Sequence, residues 1–366
     1  VAFKVLQISF GEGYAGSATM AILSSLALDK LGYSISLIVS ENSLTEKRGN
    51  ERGINTVSFN SKSSNKNLFN QIEKYYKDFK PDFVISYHSL DRKLAIKLRQ
   101  NYKKEFVNIA YRQNMSKSFP VIGQWIYNKY FDYQLACSFG VAEDLIKAGA
   151  KSSNVKVIHN VTEYPENIDS ISGKSVRERF GINDKTVLGV SSWFHKERKG
   201  FDILFDAFSK TEENFVLLII GIPKENQSEV YNYAESFGIK RERLIMPGFI
   251  DNIYEYYKAM DIFILPSRSE GFSLALLEAA FAKLPIIASD IPGNNEIIFN
   301  DETGLLFELN KPGHLLKKIL EMNGELEKAQ KMAVNVHKEV MSNYTLQSYG
   351  EKLDEFLKSI ISDKKL

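Results

Sequence analysis

Leu265-Pro266-Ser267-Arg268-Ser269-Glu270-Gly271-Phe272-Ser273-Leu274-Ala275-Leu276-Leu277-Glu278-Ala279 is the stretch whose reading decides the fold. The apolar run Ile262–Leu265 leads into it as a buried strand, Pro266 closes that strand, and helical spacing begins near Ser273. A strand passing through a short loop into a helix is half of a parallel β-α-β unit. The amides that open such a helix lack partners within it and carry the positive end of its dipole, so they can hold a phosphate; Gly271, without a side chain, lets the phosphate approach. Glu270 in the loop and Glu278 in the second helical turn can accept hydrogen bonds from sugar hydroxyls, one at a transferred sugar and the other at a ribose.

The same alternation extends in both directions. Short runs rich in Val, Ile, Leu and Phe near residues 186–190, 215–220, 244–246, 262–265 and 286–288 alternate with helical segments, as do runs near 5–10, 34–39, 56–59, 83–87, 106–111, 133–137 and 155–158. That pattern predicts an α/β fold with two doubly wound parallel sheets covered by helices on both faces. Residues 17–31 predict the first helix, with Ser17 as cap, Met20, Leu23, Ala27 and Leu31 as the inward stripe, and Gly32 as the stop. Residues 160–174, polar and holding Pro165 and Gly173, read as a linker. The domains are expected at 1–165 and 166–344, with a final amphipathic helix within 345–366 that packs back on the first.

A chain of 366 residues is long for one core and comfortable for two, which fits this division. Its longest apolar runs fall far short of the ~20 residues a spanning helix needs. The opening residues pass directly into a strand, which reads as the absence of a leader. The single Cys137 lies in an apolar run and suits a reducing compartment as a core thiol. A cytoplasmic protein, possessed of a surface that can sit peripherally on the inner membrane face, is the expectation. Charge supports that surface: residues 1–165 hold 22 Lys+Arg against 14 Asp+Glu, while the remainder holds 25 against 31.

A second motif, Gly11-Glu12-Gly13-Tyr14-Ala15-Gly16, follows the first strand and spells a dinucleotide fingerprint, with Glu41 as the acid that a ribose would need. An NAD-dependent oxidoreductase is therefore one alternative reading. Tight-turn geometry alone also accounts for the glycines.

The stretch around Glu270 resembles the E-x7-E signature of the family 4 retaining glycosyltransferases, worded P-S-x-x-E-G-F-G-x-x-x-x-E-A. Pro285-Ile286-Ile287-Ala288-Ser289, Glu296-Ile297-Ile298 and Thr303-Gly304-Leu305-Leu306-Phe307 resemble the family's P-V-V-A-S, E-I-V and T-G-L-L-V stretches in the same order, and the likeness extends from Val187 to about Tyr344. It implies a GT-B architecture, two Rossmann-like domains facing a central cleft, with a nucleotide diphosphate sugar as donor and no tightly bound cofactor. By resemblance Glu270 contacts the transferred sugar, Glu278 the ribose, and the backbone of Gly271, Phe272, Ser273 and Leu274 the sugar and phosphate. Glu197-Arg198-Lys199-Gly200 resembles the family's E-K-G and implies that Lys199, helped by Arg198, neutralises the diphosphate. Gly248 and Phe249, in Met246-Pro247-Gly248-Phe249-Ile250, resemble the loop that reads the base.

Two departures stand out. Ser191-Ser192-Trp193 occupies the place of the family's G-R, and Arg112, in Ile109-Ala110-Tyr111-Arg112-Gln113, the place of a His in a V-T-x-H-D-like run. Together they keep open a nucleotide-sugar-binding subunit without turnover. Gly13, Tyr14, Gly16, His88 and Arg112 are the candidates for the cleft's acceptor side, and the implied acceptor is a glycan or lipid-linked sugar of bacterial surface polysaccharide. No metal-ligand spacing is seen among the five histidines, and nothing resembles a nucleic-acid module. An anionic membrane surface is the further expected partner. Its candidate contacts are Arg92, Lys93, Lys97, Arg99, Lys103 and Lys104, on a helix with Leu94, Leu98 and Tyr102 inward, and Trp125, Tyr127, Lys129, Tyr130 and Phe131; a plain solvated helix with core aromatics is the other reading of the same residues.

Overall fold

The computed structural model describes residues 2–11, 16–115, 121–250 and 252–364. Among these, β1 (Lys4–Ser9), β2 (Ser34–Ser40), β3 (Thr56–Phe59), β4 (Phe83–Ser86), β5 (Val107–Arg112), β6 (Tyr133–Ala136) and β7 (Val155–Val157) form a sheet ordered β3-β2-β1-β4-β5-β6-β7. A second sheet contains β8 (Thr186–Ser191), β9 (Phe215–Ile220), β10 (Leu244–Gly248), β11 (Ile262–Leu265), β12 (Ile286–Ser289) and β13 (Leu305–Phe307), ordered β10-β9-β8-β11-β12-β13. The ladders are parallel throughout. Strands of this kind are buried on both faces, which is why they read as unbroken apolar runs rather than alternating ones.

The chain divides into two compact units, one comprising Val1–Val161 with Thr345–Leu366 and the other Thr162–Tyr344. In the first, Leu6, Ile8, Val84 and Ala110 from the sheet pack with Leu68, Ile72, Leu94 and Leu98 from the helices. In the second, Leu188, Val190, Leu217, Ile219 and Ile264 pack with Phe201, Leu204, Phe205 and Phe208 of the helix Phe201–Ser209. In both sheets the strand order reverses at the first strand of the unit, between β1 and β4 and between β8 and β11. The loops leaving the carboxyl ends of such a strand pair diverge, and that is where open α/β sheets bind ligands.

The helix Leu346–Lys364 belongs to the first unit. Tyr349, Leu353, Leu357 and Ile360, spaced along one face, are all buried. Gly350 lets the helix approach Ala27 and Leu31 of the first helical segment. Tyr33 donates to Asp354 Oδ1 at 2.8 Å, and Tyr133 meets the ring of Phe356 edge-on at 5.3 Å.

Several local readings change. The first helix spans Gly16–Lys30, so Ser17 sits in its first turn, and Leu31 lies beyond the end and is exposed. β10 continues through Pro247 to Gly248, extending into the segment read as a loop, and β13 is a strand that a three-residue apolar run gave too little signal to distinguish. Residues 162–173 are ordered against the second unit: Tyr164 stacks on Phe281 at 4.5 Å, Ile168 is buried, and Gly173 abuts the backbone of Lys258 and Ala259, where a Cβ would overlap.

Two of the six cations on the basic helix Ser89–Tyr102 and its end are internal. Arg92 donates to Tyr87 O at 2.5 Å and Tyr127 Oη at 2.9 Å, and Arg99 donates to the carbonyls of Lys103 and Phe106 and pairs with Asp132. Buried guanidinium groups need such partners, so the exposed charge of this face reduces to Lys93, Lys97, Lys103 and Lys104. Phe131 is also buried, whereas Trp125 is 60% exposed.

Because Tyr349 fills the junction of the last helix with the first sheet, Tyr349→Ala should cost about 3 kcal/mol or more. Denaturant unfolding should show this, while Leu326→Ala at an exposed position stays within about 0.5 kcal/mol of the parent.

Candidate functional site

In the second unit the loop after β8 and the loop after β11 are fastened together by backbone geometry. Gly200 has φ 69° and lies against the carbonyl of Pro266, which a Cβ would overlap. Arg268 N donates to Arg198 O at 2.9 Å, and Arg268 Nη1 to Glu197 O at 2.7 Å. The Arg268 guanidinium also grips Asp202 through both carboxylate oxygens, at 2.7 and 2.5 Å. This lacing sets Lys199 Nζ 2.7 Å from Glu270 Oε1, with side chains 12% and 13% exposed. A pair so enclosed is little screened by salt and feels charge brought to it strongly.

The helix that follows, Leu274–Phe281, starts with a cap: Leu276 N donates to Ser273 Oγ at 3.3 Å. Gly293, with φ 90°, packs against this loop, where a Cβ on it would come within 2.5 Å of Gly271 O. Phe272 points inward, with its ring 5.3 Å from Tyr344. The backbone from Gly271 to Leu274 therefore lies on the same loop and helix start as Glu270.

Glu278 follows one helical turn later, where its carboxylate Oε2 accepts from Tyr257 Oη at 2.7 Å and the carboxyl also meets the Thr162 hydroxyl. Burial pushes this carboxyl up to about 7, against the pull of both hydrogen bonds. Burial and the nearby Glu278 charge hold the Tyr257 hydroxyl well above its ordinary value, so it remains a donor; Tyr254 is pushed up for the same reasons. Gly248 closes β10 with φ 94°, and Gly221 N donates to its carbonyl at 3.1 Å; Phe249 beyond it is exposed. β10 is separated from β8 by β9, so these two stand apart from Lys199 and Glu270 along the sheet edge.

In the first unit, the ends of β1 and β4 bring Gly11 and His88 together, and the imidazole occupies the space where a Gly11 Cβ would be. His88 Nε2 is buried with no hydrogen-bond partner among the described residues, and burial lowers its pKa below the ordinary imidazole value. Arg112, at the end of β5, is buried over the Tyr127 ring at 5.5 Å; burial, then the charge of Arg92, pulls it down to about 10. Gly16 opens the first helix, and Gly13 and Tyr14 lie outside the described residues.

Residues 174–339, which contain both laced loops and the helix after them, match the family model for glycosyl transferases group 1. This segment belongs to that family. Among curated relatives, the UDP-Gal:alpha-D-GlcNAc-diphosphoundecaprenol alpha-1,3-galactosyltransferase of Escherichia coli is 29% identical over 149 residues, 41% of this chain and 38% of that protein. The O-antigen biosynthesis glycosyltransferase WclY of Escherichia coli is 31% identical over 144 residues, 39% of each. The chain thus spans about two fifths of the length of the curated relatives it matches.

Likeness of fold extends over nearly the whole chain. Anabaena HepE, solved in complex with UDP and glucose, superposes with a TM-score of 0.84 at 16% identity, covering 98% of this chain and 100% of that one. A glycosyltransferase from Rickettsia africae gives 0.82 at 20% identity, covering 98% and 99%. The fold is GT-B. Nothing in these likenesses supports the oxidoreductase reading of the Gly11 motif.

Among the described residues no three His, Cys, Asp or Glu side chains gather as a metal site, and no helix is long and apolar enough to cross a membrane. The second unit also holds partners that the sequence did not point to. Tyr257 sits in an aromatic run that reads as core, Thr162 in a stretch that reads as linker, and Arg268 lacks any motif of its own. Their roles depend on contacts 21 to 116 positions away along the chain, beyond the reach of local spacing.

The Glu278 carboxyl gives a pH test. Its folded value of about 7 lies above the ordinary 4.5, so folded protein keeps a proton that the unfolded chain has released. The stability from that proton is complete below the ordinary value and disappears as pH rises through about 7, by up to about 1.4 kcal/mol per unit. Denaturant unfolding of the ligand-free protein should show this decline between about pH 5 and 7.5, and Glu278→Gln should remove most of it.

Proposed function

We propose that the protein is a retaining, metal-independent glycosyltransferase that moves a hexose from a nucleoside diphosphate sugar to a glycan or lipid-linked acceptor in cell-surface polysaccharide assembly. One observation carries this reading: the enclosed Lys199–Glu270 pair sits at the loop that leads into the helix Leu274–Phe281. The amides and Lys199, with Arg198, hold the diphosphate; Glu270 accepts from the transferred sugar, and Glu278 from the ribose. This assignment places positive charge where the leaving group develops negative charge, which is where stabilisation accelerates transfer.

As the bond from the anomeric carbon to the phosphate oxygen breaks, positive charge spreads over the sugar ring. An acceptor hydroxyl approaching on the same face forms the new bond, and its proton passes to the departing phosphate oxygen. Retention of configuration follows from that shared face. Lys199 balances the departing phosphate, and Glu270, held by Lys199 before donor arrives, orients the sugar. The acceptor is assigned to the first unit, where Gly11 and His88 meet at the sheet's reversal. The group 1 relatives that support such an acceptor include the galactosyltransferase whose name specifies a GlcNAc-diphosphoundecaprenol substrate.

A lipid-linked acceptor suits a protein that sits on the cytoplasmic membrane face. Trp125, exposed on the helix Val121–Tyr130, lies under Lys129 at 5.1 Å from Nζ to ring centroid, and the same ammonium is 5.2 Å from the Tyr130 ring. Tyr130 bonds to Gln100 on the neighbouring basic helix. Aromatic rings interleaved with Lys93, Lys97, Lys103 and Lys104 fit the boundary of an anionic leaflet.

Two measurements test these assignments. Full-length protein supplied with UDP, GDP, TDP and ADP sugars should transfer from one of them in the presence of EDTA, with an NMR-detected product of the donor's anomeric configuration. Lys199→Ala and Glu270→Gln should each lower kcat/KM about 100-fold or more. Donor binding without turnover, unchanged by Glu270→Gln, would favour the silent subunit. On vesicles containing 30% phosphatidylglycerol, joint replacement of Lys93, Lys97 and Lys129 by Gln should reduce binding about 100-fold, at about 1 kcal/mol per residue near the surface, with no change on phosphatidylcholine alone.

A further inference from the structure

The loop after β8 carries more cations than a diphosphate needs, and most of them are engaged. Lys199 pairs with Glu270, and Lys196 reaches Glu229 at 3.8 Å and the Tyr233 ring at 4.8 Å. On the facing loop Arg268 is spent on Asp202. Arg198 differs: among the described residues it has no carboxylate partner, and its Nε is buried with no hydrogen bond. Its guanidinium instead lies over the indole of Trp193, 5.0 Å from carbon to ring centroid.

Trp193 is itself 49% exposed, two residues beyond the carboxyl end of β8. His195 joins both members of the pair: its ring meets the indole edge-on at 5.4 Å, and its Nδ1 accepts from Arg198 N at 3.2 Å. The backbone of Arg198 is fixed in addition by the Arg268 N bond to its carbonyl. A long side chain on an open loop ordinarily samples many rotamers, and binding must then order it. Here the backbone is held from both sides, and an aromatic face holds the charged end.

We propose that Trp193 is a positioning residue that holds the Arg198 guanidinium, ready for the phosphates of the nucleoside diphosphate, at the end of β8. The inference rests on the donor reading above. It adds a pairing specific to this chain: the indole supplies no contact to the reacting atoms and acts through the cation it carries. Its effect is confined to ligands that bring phosphate charge to the loop. An indole that stacked on a nucleobase would behave differently, since it would strengthen uridine as much as UDP.

Calorimetric titrations of the full chain with UDP, UMP and uridine separate these cases, using Trp193→Ala, Trp193→Phe, Arg198→Gln and the double variant Trp193→Ala/Arg198→Gln. Arg198→Gln is expected to weaken UDP about tenfold or more, and Trp193→Ala about three- to tenfold. The double variant should be no more than about twofold weaker than Arg198→Gln alone, Trp193→Phe should recover most of the affinity, and uridine should be unaffected throughout. Unchanged UDP binding in Trp193→Ala, additive losses in the double variant, or an equal loss for uridine would each overturn the proposal. The pairing has a ligand-free readout as well. The chain has two tryptophans, so in a Trp125→Phe background the emission of Trp193 should change when Arg198→Gln is added, and unchanged emission would overturn the pairing itself. Wild-type protein that bound none of UDP, GDP, TDP and ADP would instead overturn the donor reading, an outcome seen separately from the fluorescence.

Discussion

Gly200 against Pro266 is the contact on which the site depends. At that point a loop carrying cations crosses a loop carrying a carboxylate, and the backbones come so close that no side chain fits between them. Left-handed backbone at Gly200 turns the chain into the helix Phe201–Ser209 immediately after Lys199, so the ammonium is delivered at a fixed place rather than from a flexible tip. The Arg268 bonds to Glu197, Arg198 and Asp202 keep the two loops at that distance. Within this frame, the Lys199–Glu270 pair satisfies both charges while no ligand is bound, which avoids an enclosed unpaired charge.

Two carboxyl groups on one strand-loop-helix segment thereby occupy different environments. Glu270 is balanced by an ammonium. Among the described residues Glu278 has only hydroxyl donors, from Tyr257 and Thr162, and burial keeps its proton on to about pH 7. Burial favours the neutral form of Glu278, while the hydroxyl donors favour the anion. The difference arises from the packing around each group rather than from the residue type.

Much of this was legible beforehand. The unbroken apolar runs identified twelve of the strands now seen, and the amphipathic pattern within 345–366 marked the last helix. Lys199, Glu270 and the Gly271 loop could be assigned from their resemblance to a family signature, and the structure brings them together. What the sequence withheld depends on contacts across long separations. Arg92 and Arg99 read as solvated charge because nothing local reveals that Tyr127 and Asp132 will meet them; Tyr257 reads as core because its hydroxyl partner is on another element. β13 was too short for periodicity to distinguish, and Trp193 appeared only as the residue in the place of an expected arginine.

The central claim, that a diphosphate rests on the amides opening the helix Leu274–Phe281 with Lys199 beside it, is tested most directly by the crystal structure of the protein soaked with UDP. Phosphate density within hydrogen-bonding distance of the backbone at Phe272 to Leu274 and of Lys199 Nζ is the predicted result. Nucleotide density confined to the Gly11–Gly16 loop, with that helix start empty, would contradict the account.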